Sequence, residues 1–315
     1  MTERRKKNTV TVFAPATVGN IACGFDCMGL AINNPGDVVT LKKNAEKKLI
    51  IREITGDNGR LSYSIKKNTV SVAIAAYLKA TGIQQGFDIV LHKRMPLGSG
   101  LGSSAASAVA GVYAASLLTG NKLSREELIP FAMEGERIAC GSAHADNVAP
   151  SMLGGIILIR SNHPLEVIAL PAPSKLYIVV IHPHAEVLTK DARAVLKKEI
   201  PLGTAIQQWS NTAALVAGLY KEDYELIGKA TVDHVAEPYR ASLIPAFHQV
   251  KKAAFSNGAL ACSISGSGSS MFAFCKGLKD AKRTGAAMQA SFRKAKIQSE
   301  LYISTINNEG AKVIA

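Results

Sequence analysis

The sequence predicts an α+β fold in two domains. Strand-like runs and helical patterns follow each other without the regular spacing of repeated strand–helix–strand units, which favours layers of helices on mixed sheets. With 315 residues and 47% hydrophobic content, the chain is long enough to bury two cores. The segment Pro171-Ala-Pro173 has the composition of a linker. We expect it to divide a first domain, residues 9–172, from a second, residues 173–315.

The composition limits the class of protein. No run of 18 apolar residues occurs, so no membrane partner is expected. The formal net charge is +13, from 37 basic and 24 acidic residues, which fits either a nucleic-acid-binding protein or an enzyme that attracts anionic ligands. The basic residues are dispersed as short pairs with few aromatic residues among them, which favours solvated surfaces and no nucleic-acid partner.

The five cysteines are few and scattered, and the N-terminus lacks the apolar core of a signal peptide. We therefore expect a reducing, cytoplasmic location. Cys23 and Cys27 resemble half of a metal site, but no second pair or suitably spaced histidine completes it. They are expected to be small buried side chains.

The first domain opens with strands. Residues 1–8 are polar and basic, which is typical of an unstructured arm, and the β-rich run 9–13 leads into a glycine-punctuated loop at 14–26. Further predicted elements are strands at 37–41, 48–52 and 87–91 and an amphipathic helix at 68–80.

The stretch Pro96-Leu-Gly-Ser-Gly-Leu-Gly-Ser-Ser-Ala-Ala-Ser107 predicts a phosphate-binding turn. Its three alternate glycines permit positive φ angles and leave main-chain N–H groups open to a ligand, and the helix predicted over 105–118 adds a positive dipole end. It is not a P-loop, because no lysine precedes the serines, and its glycine spacing is not that of a dinucleotide fingerprint. A plain turn before a helix is the alternative. The residues predicted to bind nucleotide are Pro96, Leu97, Gly98, Ser99, Gly100, Leu101, Gly102, Ser103, Ser104, Ala105 and Ala106.

The remaining elements frame two more polar segments. Ser124 and Glu127 form a capping-box pattern that opens a helix carrying Glu136, and a polar loop is predicted at 141–147. The predicted elements after that loop are strands at 156–159, 176–182, 259–264 and 271–275 and helices at 205–220 and 245–256. A second glycine-serine turn lies between the last two of these strands.

Several motifs, taken together, indicate a family. In chain order they are Asn20-Ile-Ala-Cys-Gly-Phe-Asp26, the turn at 96–107, His144-Ala-Asp-Asn147, Asp191-Ala-Arg193, Ala236-Glu-Pro-Tyr-Arg240 and Ile264-Ser-Gly-Ser-Gly-Ser-Ser-Met-Phe-Ala273. They resemble the small-molecule kinases named for galactokinase, homoserine kinase, mevalonate kinase and phosphomevalonate kinase, and most of all the homoserine kinases. The resemblance implies a first domain like domain 2 of ribosomal protein S5, a ferredoxin-like second domain, and an active site between them.

The activity implied is ATP-dependent phosphorylation of the side-chain hydroxyl of L-homoserine to O-phospho-L-homoserine, in threonine biosynthesis. ATP and Mg²⁺ are the implied cofactors, and a homodimer is the implied assembly. Two alternatives stay open. One is a kinase of the same superfamily for another small alcohol, such as mevalonate; the other is a basic RNA-binding protein on the S5-like scaffold.

The same resemblance assigns roles to residues whose chemistry suits them. Ser104 and Glu136 are implied to hold Mg²⁺, although Glu136 could equally be a solvated acid on its helix. Glu136 and Asp146 are the predicted catalytic residues, with Asp146 a helper in place of a strong base. The predicted substrate contacts are Asn20, Asp26, His144, Asn147, Arg193 and Arg240.

These substrate contacts also have ordinary alternatives. His144 could be a loop histidine or a general base, and the two arginines could be surface residues. If Arg193 and Arg240 bind a carboxylate while an aspartate binds an ammonium group, the set fits a zwitterion. The sequence also departs from the family pattern: Gly19 stands where alanine is usual, and Ser269-Ser270 replaces a Pro-Thr pair. Loss of that proline is expected to loosen the turn after Gly268.

Overall fold

The computed structural model describes residues 8–140 and 144–315. The arm predicted at 1–8 lies outside these residues except for its last position, and so do residues 141–143 of the predicted polar loop. The strands in the described residues are β1 (Thr9–Gly19), β2 (Met28–Asn44), β3 (Leu49–Thr55), β4 (Gly86–His92), β5 (Ile156–Asn162), β6 (Leu165–Leu170), β7 (Leu176–Pro183), β8 (Ala259–Ile264), β9 (Met271–Lys276), β10 (Ser299–Thr305) and β11 (Lys312–Val313).

The helices alternate with these strands. In the described residues they are α1 (Thr69–Thr81), α2 (Ser103–Thr119), α3 (Arg125–Cys140), α4 (Ala145–Leu153), α5 (Thr189–Ala194), α6 (Leu202–Lys221), α7 (Tyr224–Ala230), α8 (Glu237–Arg240), α9 (Phe247–Ser256) and α10 (Leu278–Lys294). None of them is long and apolar enough to cross a membrane.

The first sheet has the order β11-β1-β2-β4-β3, with β5 paired to β2 and β6 paired to β5. Its pairings are antiparallel except that of β3 with β4. Helix α2 packs against β1 and β2 on one side and against α1 and α3 on the other, and most of its residues are buried. Its alanines, serines and single glycine explain this position, because small side chains let a helix approach neighbours on all sides.

The second sheet has the order β10-β7-β9-β8 and is antiparallel throughout. Helices α9 and α10 cover it through a separate core that includes Phe247, Val250, Met288 and Phe292. If β7 to β10 are counted as strands one to four, the order is 4-1-3-2, which is the ferredoxin-like arrangement predicted for this half. The α+β, two-domain prediction is therefore confirmed.

The chain leaves the first sheet at Leu170 and enters the second at Leu176. It returns at its C-terminal end, where β11 pairs with β1 and the Asn33 amide donates to the Thr305 hydroxyl at 2.8 Å. The boundary between residues 172 and 173 stays a prediction.

The elements predicted from sequence are present, with two corrections. Strand β1 continues to Gly19 instead of ending at residue 13, because the register with β2 shifts between Pro15 and Thr17 and so accommodates the proline. The polar loop predicted at 141–147 was wrong for its last three residues: α4 begins at Ala145 after an extended N-cap at His144, with Asp146 in its first turn. The capping box is confirmed, since the Ser124 N–H donates to Glu127 Oε2 at 2.7 Å and the Glu127 N–H donates to Ser124 Oγ at 3.2 Å.

Candidate active site

A cavity of about 490 Å³ lies where the loops of the two sheets meet. Every predicted catalytic and substrate-binding residue lines it: Asn20, Asp26, Glu136, His144, Asp146, Asn147, Arg193 and Arg240. The nucleotide-loop residues on its wall are Leu97, Gly98, Ser99, Gly100, Gly102, Ser103 and Ser104. The volume falls within the range usual for small-molecule sites.

Four of the residues predicted to bind nucleotide do not line this cavity. Leu101, just before α2, and Ala105 and Ala106, in its first turn, are fully buried in the core of the first sheet. Pro96 faces a neighbouring cavity instead. Whether the main chain at these four positions binds nucleotide stays a prediction.

The loop between β4 and α2 has the backbone expected of it. Gly98, Gly100 and Gly102 have φ angles of 65°, 77° and 66°. A Cβ at Gly100 would stand 2.3 Å from the Ser265 carbonyl oxygen, and one at Gly102 would stand 2.1 Å from Thr17 Oγ1. These glycines are therefore required by close packing as well as by their conformation. Gly102 is the N-cap of α2 and provides no side-chain cap, so the first N–H groups of the helix can donate to an anion.

A buried ion pair that the sequence analysis missed lies behind this loop. Lys93 Nζ donates to Asp37 Oδ2, to the Ser103 carbonyl at 2.9 Å and to Ser107 Oγ at 2.8 Å. The Ser103 and Ser107 hydroxyls both donate back to Asp37, at 3.1 and 2.8 Å. The two charged side chains are 2% and 0% exposed, so the network attaches the first turn of α2 firmly to β2. In the sequence, this ion pair is indicated by an acid, Asp37, and a lysine, Lys93, that each stand close to apolar strand residues.

Hydrogen bonds join the three glycine-containing motifs. Asn20 Nδ2 donates to the Gly266 carbonyl at 2.8 Å, and Asn20 Oδ1 accepts from the Asp26 N–H at 3.0 Å. Ser265 Oγ donates to the Gly100 carbonyl at 2.8 Å. Asn20 and Asp26 have φ angles of 72° and 58°, in the left-handed region that these two residue types tolerate best after glycine. Asn20 thus holds the first and third motifs together. Its contact with the substrate stays a prediction.

The serines that replace Pro-Thr in the third motif are both fully buried. Ser269 Oγ donates to the Ala185 carbonyl, the Ser270 N–H donates to the Ser99 carbonyl at 3.0 Å, and Ser270 Oγ lies 3.2 Å from His182 Nδ1. Burial lowers the pKa of His182 to about 4, so the ring is neutral. Specific hydrogen bonds therefore hold this turn where the family pattern has a proline ring.

Asp146 and Asn147 extend from the first turn of α4 into the cavity. Asn147 Oδ1 accepts from Thr17 Oγ1 at 2.7 Å, and Asn147 Nδ2 donates to Asp146 Oδ2 at 3.2 Å. Asp146 is 5% exposed, and burial, followed by the charges of Asp26 and Glu136, raises the pKa of its carboxyl to about 7. A Cβ at Gly19 would lie 2.7 to 2.9 Å from the ends of both side chains, so the glycine found here in place of alanine leaves them room.

Glu136 is buried at 8% exposure and lines the same cavity as Ser104. The alternative of a solvated acid is therefore wrong for this residue. Glu134, two positions earlier, is the solvated one: its side chain is 44% exposed and forms an ion pair with Arg137 at 3.1 Å. Sequence position alone did not separate the two acids, because helix rotation decides which faces inward.

The two arginines differ in their surroundings. Arg193 forms a two-pronged ion pair with Asp26, with N···O distances of 3.0 and 2.9 Å. Arg240 is 3% exposed, donates to the carbonyls of Ala192 at 2.9 Å and Gly266 at 3.1 Å, and lies 5.1 Å above the Phe25 ring. The Arg193 guanidinium lies 5.9 Å from the same ring. Phe25, which the sequence analysis did not single out, therefore supports both cations.

His144 Nδ1 lies 4.0 Å from Asp26 Oδ2. Burial lowers the pKa of His144, although the Asp26 charge opposes this, so the imidazole is neutral at pH 7.

The described part of the chain contains no group of three or more His, Cys, Asp or Glu side chains that could hold a metal ion alone. Cys23 is buried in the core of the first sheet and Cys27 is half-buried against it, as expected of small filling side chains.

Two family descriptions match the chain: GHMP kinases N terminal domain over residues 68–155, and GHMP kinases C terminal over residues 215–294. The chain is 51% identical to a homoserine kinase of Chlorobaculum tepidum, over 98% of each chain. It is 50% identical to one of Chlorobium phaeobacteroides, over 97% of this chain and 99% of the other.

Solved structures agree. A crystal structure of homoserine kinase from Cytophaga hutchinsonii is 54% identical, covers both chains completely and superposes with a TM-score of 0.97. The structure of L. major mevalonate kinase, which shares 16% identity over 98% of each chain, has the same fold with a TM-score of 0.73. The cavity, the three glycine motifs and these similarities agree that the chain belongs to the GHMP kinase family, in its homoserine kinase branch.

Proposed function

We propose that this chain transfers the γ-phosphoryl group of ATP to the side-chain hydroxyl of L-homoserine, giving O-phospho-L-homoserine. The observation that carries the proposal is the composition of one cavity, whose lining includes the glycine loop and first turn of α2, the buried Glu136 and the Asp26–Arg193 pair. The relatives named homoserine kinase support the choice of substrate. We further propose that the product feeds threonine synthesis in the cytoplasm, in agreement with the free thiols of the described cysteines.

The phosphate end of ATP would lie on the loop and the first turn of α2. Main-chain N–H groups from Gly98 to Ser104 would donate to the phosphate oxygens, and the Lys93–Asp37 network would keep those donors in place. A rigid set of donors favours transfer because it need not reorganise as charge develops on the phosphoryl group.

The residues fit Mg²⁺ as the second cofactor. The Glu136 carboxylate and the Ser104 hydroxyl are hard oxygen donors facing the same cavity, and magnesium commonly takes only one or two protein ligands beside phosphates and water. Bound there, Mg²⁺ would neutralise charge on the transferred group. Ser104 and Glu136 are the residues that we propose hold it.

The other end of the cavity would orient homoserine. The Asp26 carboxylate would accept hydrogen bonds from the substrate ammonium group, while Arg193 and Arg240 would donate to its carboxylate. The Asp26–Arg193 pair provides both charges within 3.0 Å of each other, as a zwitterion requires. His144, Asn147 and Asn20 complete the wall, and the neutral His144 ring can serve as donor or acceptor.

The hydroxyl proton needs no strong base, because phosphoryl transfer passes through a loose transition state in which the nucleophile gains little charge early. Asp146 is the carboxyl available to help, since its pKa of about 7 lets it exchange a proton near neutrality. Positioning and electrostatics would provide most of the rate enhancement, with Asp146 as a secondary contributor.

One assay tests this function: ADP release from Mg-ATP, compared across L-homoserine, mevalonate, galactose and buffer. We expect turnover with homoserine and almost none with the others. Mevalonate lacks the ammonium group that Asp26 would bind, so a preference for it would contradict the proposal. Salt-sensitive retention of RNA without turnover would favour the nucleic-acid alternative.

We also propose a homodimer formed through one face of α6. The apolar residues on this face follow a spacing of four and three, which is that of a helix–helix seam. They are Leu202, Ile206, Trp209, Ala213, Val216 and Tyr220, of which Val216 is half-buried against the core and the others are exposed. Trp209 is 55% exposed and Tyr220 is 63% exposed, whereas Leu215 and Leu219, on the other side of the helix, are each 1% exposed.

We propose that the partner bound to this face is the same face of a second copy, because the face carries almost no charge. The helix carries one charged residue, Lys221 at its end, while the chain as a whole has a net charge of +13. Two copies of a positively charged chain repel each other, and an uncharged face adds least to that repulsion. The centres of protein interfaces are also poor in charged residues and rich in Trp and Tyr. Light scattering should give a dimer mass that Trp209→Lys reduces to a monomer, while Phe255→Lys, at an exposed position on α9, should not. A monomeric wild type, or a Trp209→Lys dimer, would contradict this.

A further inference from the structure

An ion pair between Arg60 and Glu186 lies in the wall of the cavity, beside Gly98. Arg60 Nη2 donates to Glu186 Oε1 at 2.7 Å and to Oε2 at 2.9 Å. Arg60 belongs to the connection between β3 and α1, and Glu186 belongs to the connection between β7 and α5. The bond therefore joins loops that come from the two different sheets.

The Glu186 carboxylate lies against Gly98, in the loop between β4 and α2 that we propose holds the phosphates. A Cβ built at Gly98 would be 2.7 Å from Glu186 Oε1 and 2.8 Å from its Cγ. An acid at this point opposes the binding of a polyphosphate, because like charges close together repel. In the structure Arg60 neutralises that acid.

Arg60 itself is held in a fixed turn. The Asp57 carboxylate accepts from the Gly59 N–H at 3.3 Å and from the Leu61 N–H at 2.9 Å, on either side of the arginine. The guanidinium is thus presented toward the cavity by its backbone, while its long side chain keeps rotational freedom.

Room exists for the pair to separate. A second cavity of about 370 Å³ lies beside the first, and Arg60, Leu97 and Glu186 belong to the walls of both. The pair is therefore part of the partition between them. Its side chains are 52% and 38% exposed, and ion pairs this exposed contribute little stability, so a ligand of high negative charge can compete for the arginine.

We propose that Arg60 and Glu186 form a gate for the nucleotide, an inference that rests on the proposed ATP-dependent function. When ATP enters, Arg60 leaves Glu186 for the phosphates, and the carboxylate turns from Gly98 into the second cavity. After transfer, ADP has lost one phosphoryl group and attracts Arg60 less strongly. Glu186 then regains the arginine and its charge favours release of ADP.

Titration calorimetry with Mg-ADP and with a non-hydrolysable Mg-ATP analogue, without homoserine, tests the gate. Glu186→Gln removes the repelling charge and should tighten analogue binding about fivefold, while Arg60→Ala leaves the acid uncompensated and should weaken it by about the same factor. The double variant should return close to wild type, since each change offsets the other. Both effects should shrink between low and high salt because the groups are exposed.

A matched pair provides the control. Arg160 and Glu166 form an ion pair between β5 and β6 that is similarly exposed, at 60% and 43%, and lies away from the cavity. Arg160→Ala and Glu166→Gln should change nucleotide affinity less than twofold. The gate is refuted if Glu186→Gln binds the analogue as wild type does or more weakly, or if the double variant binds it as weakly as Arg60→Ala does. A wild type that binds no nucleotide would instead refute the proposed function.

Discussion

Replacing Arg193 by alanine is the sharpest test of how the cavity would orient its substrate. The guanidinium makes two hydrogen bonds to Asp26, and its side chain is 34% exposed. Removing it should cost the fold about 0 to 1 kcal/mol, as for other partly exposed ion pairs, so the variant should remain folded. Arg240 is less suitable, because alanine there would leave the buried carbonyls of Ala192 and Gly266 without their donor.

The expected rise in the homoserine KM follows from the hydrogen bond that Arg193 would donate to the substrate carboxylate. A charged hydrogen bond in a sheltered site contributes about 1.5 to 3 kcal/mol, and each 1.4 kcal/mol is a factor of ten. With partial solvent screening, we expect Arg193→Ala to raise the homoserine KM by about 10- to 100-fold, while the KM for ATP changes less than twofold. Arg193→Lys should recover only part of the loss, since lysine lacks the planar fork.

Homoserinol is the control substrate, because it keeps the ammonium group and lacks the carboxylate. Initial rates with both acceptors, at saturating Mg-ATP, separate loss of a carboxylate contact from a general defect. Wild type should use homoserinol poorly, and Arg193→Ala should lose little more toward it. Equal losses toward homoserine and homoserinol, or a raised KM for ATP, would refute the carboxylate role.

Three further predictions concern the phosphate end and the buried acid. Glu136→Gln should lower kcat about 100-fold or more, because it removes a charged ligand next to the transferring group; wild-type turnover across a Mg²⁺ titration would exclude Glu136 as a metal ligand. Gly100→Ala should abolish calorimetric nucleotide binding and lower the melting temperature, because its Cβ would collide with the Ser265 carbonyl; unchanged affinity would mean that the loop does not hold the phosphates. Asp146 is neutral in the folded state up to about pH 7 but ionises near pH 4 when unfolded, so the wild type should lose stability as pH rises from about 4 to 7. Urea unfolding at pH 4.5 and pH 8 should show this loss to be smaller in Asp146→Asn, and an identical pH dependence in both proteins would contradict the raised pKa.

Local features of the structure could be predicted from sequence because they depend on neighbouring residues. The alternate glycines, the Ser124–Glu127 capping box and the small-residue helix α2 are each decided by backbone conformation within a few positions. The motifs that carry the family resemblance also belong to short segments, and all of their predicted catalytic and substrate-binding residues line one cavity. The resemblance added the fold and the roles, which periodicity alone did not provide.

The sequence by itself therefore determined the α+β class, most element positions and the chemical type of the cavity. Only the tertiary structure decided which partner each charged or polar group has. Asp37 pairs with Lys93 across 56 positions, Thr17 with Asn147 across 130, and Asp26 with Arg193 across 167. It also decided that Glu136 faces inward while Glu134 is solvated. The physical reason is that burial and pairing depend on how distant segments pack, and no pattern along the chain records that distance in space.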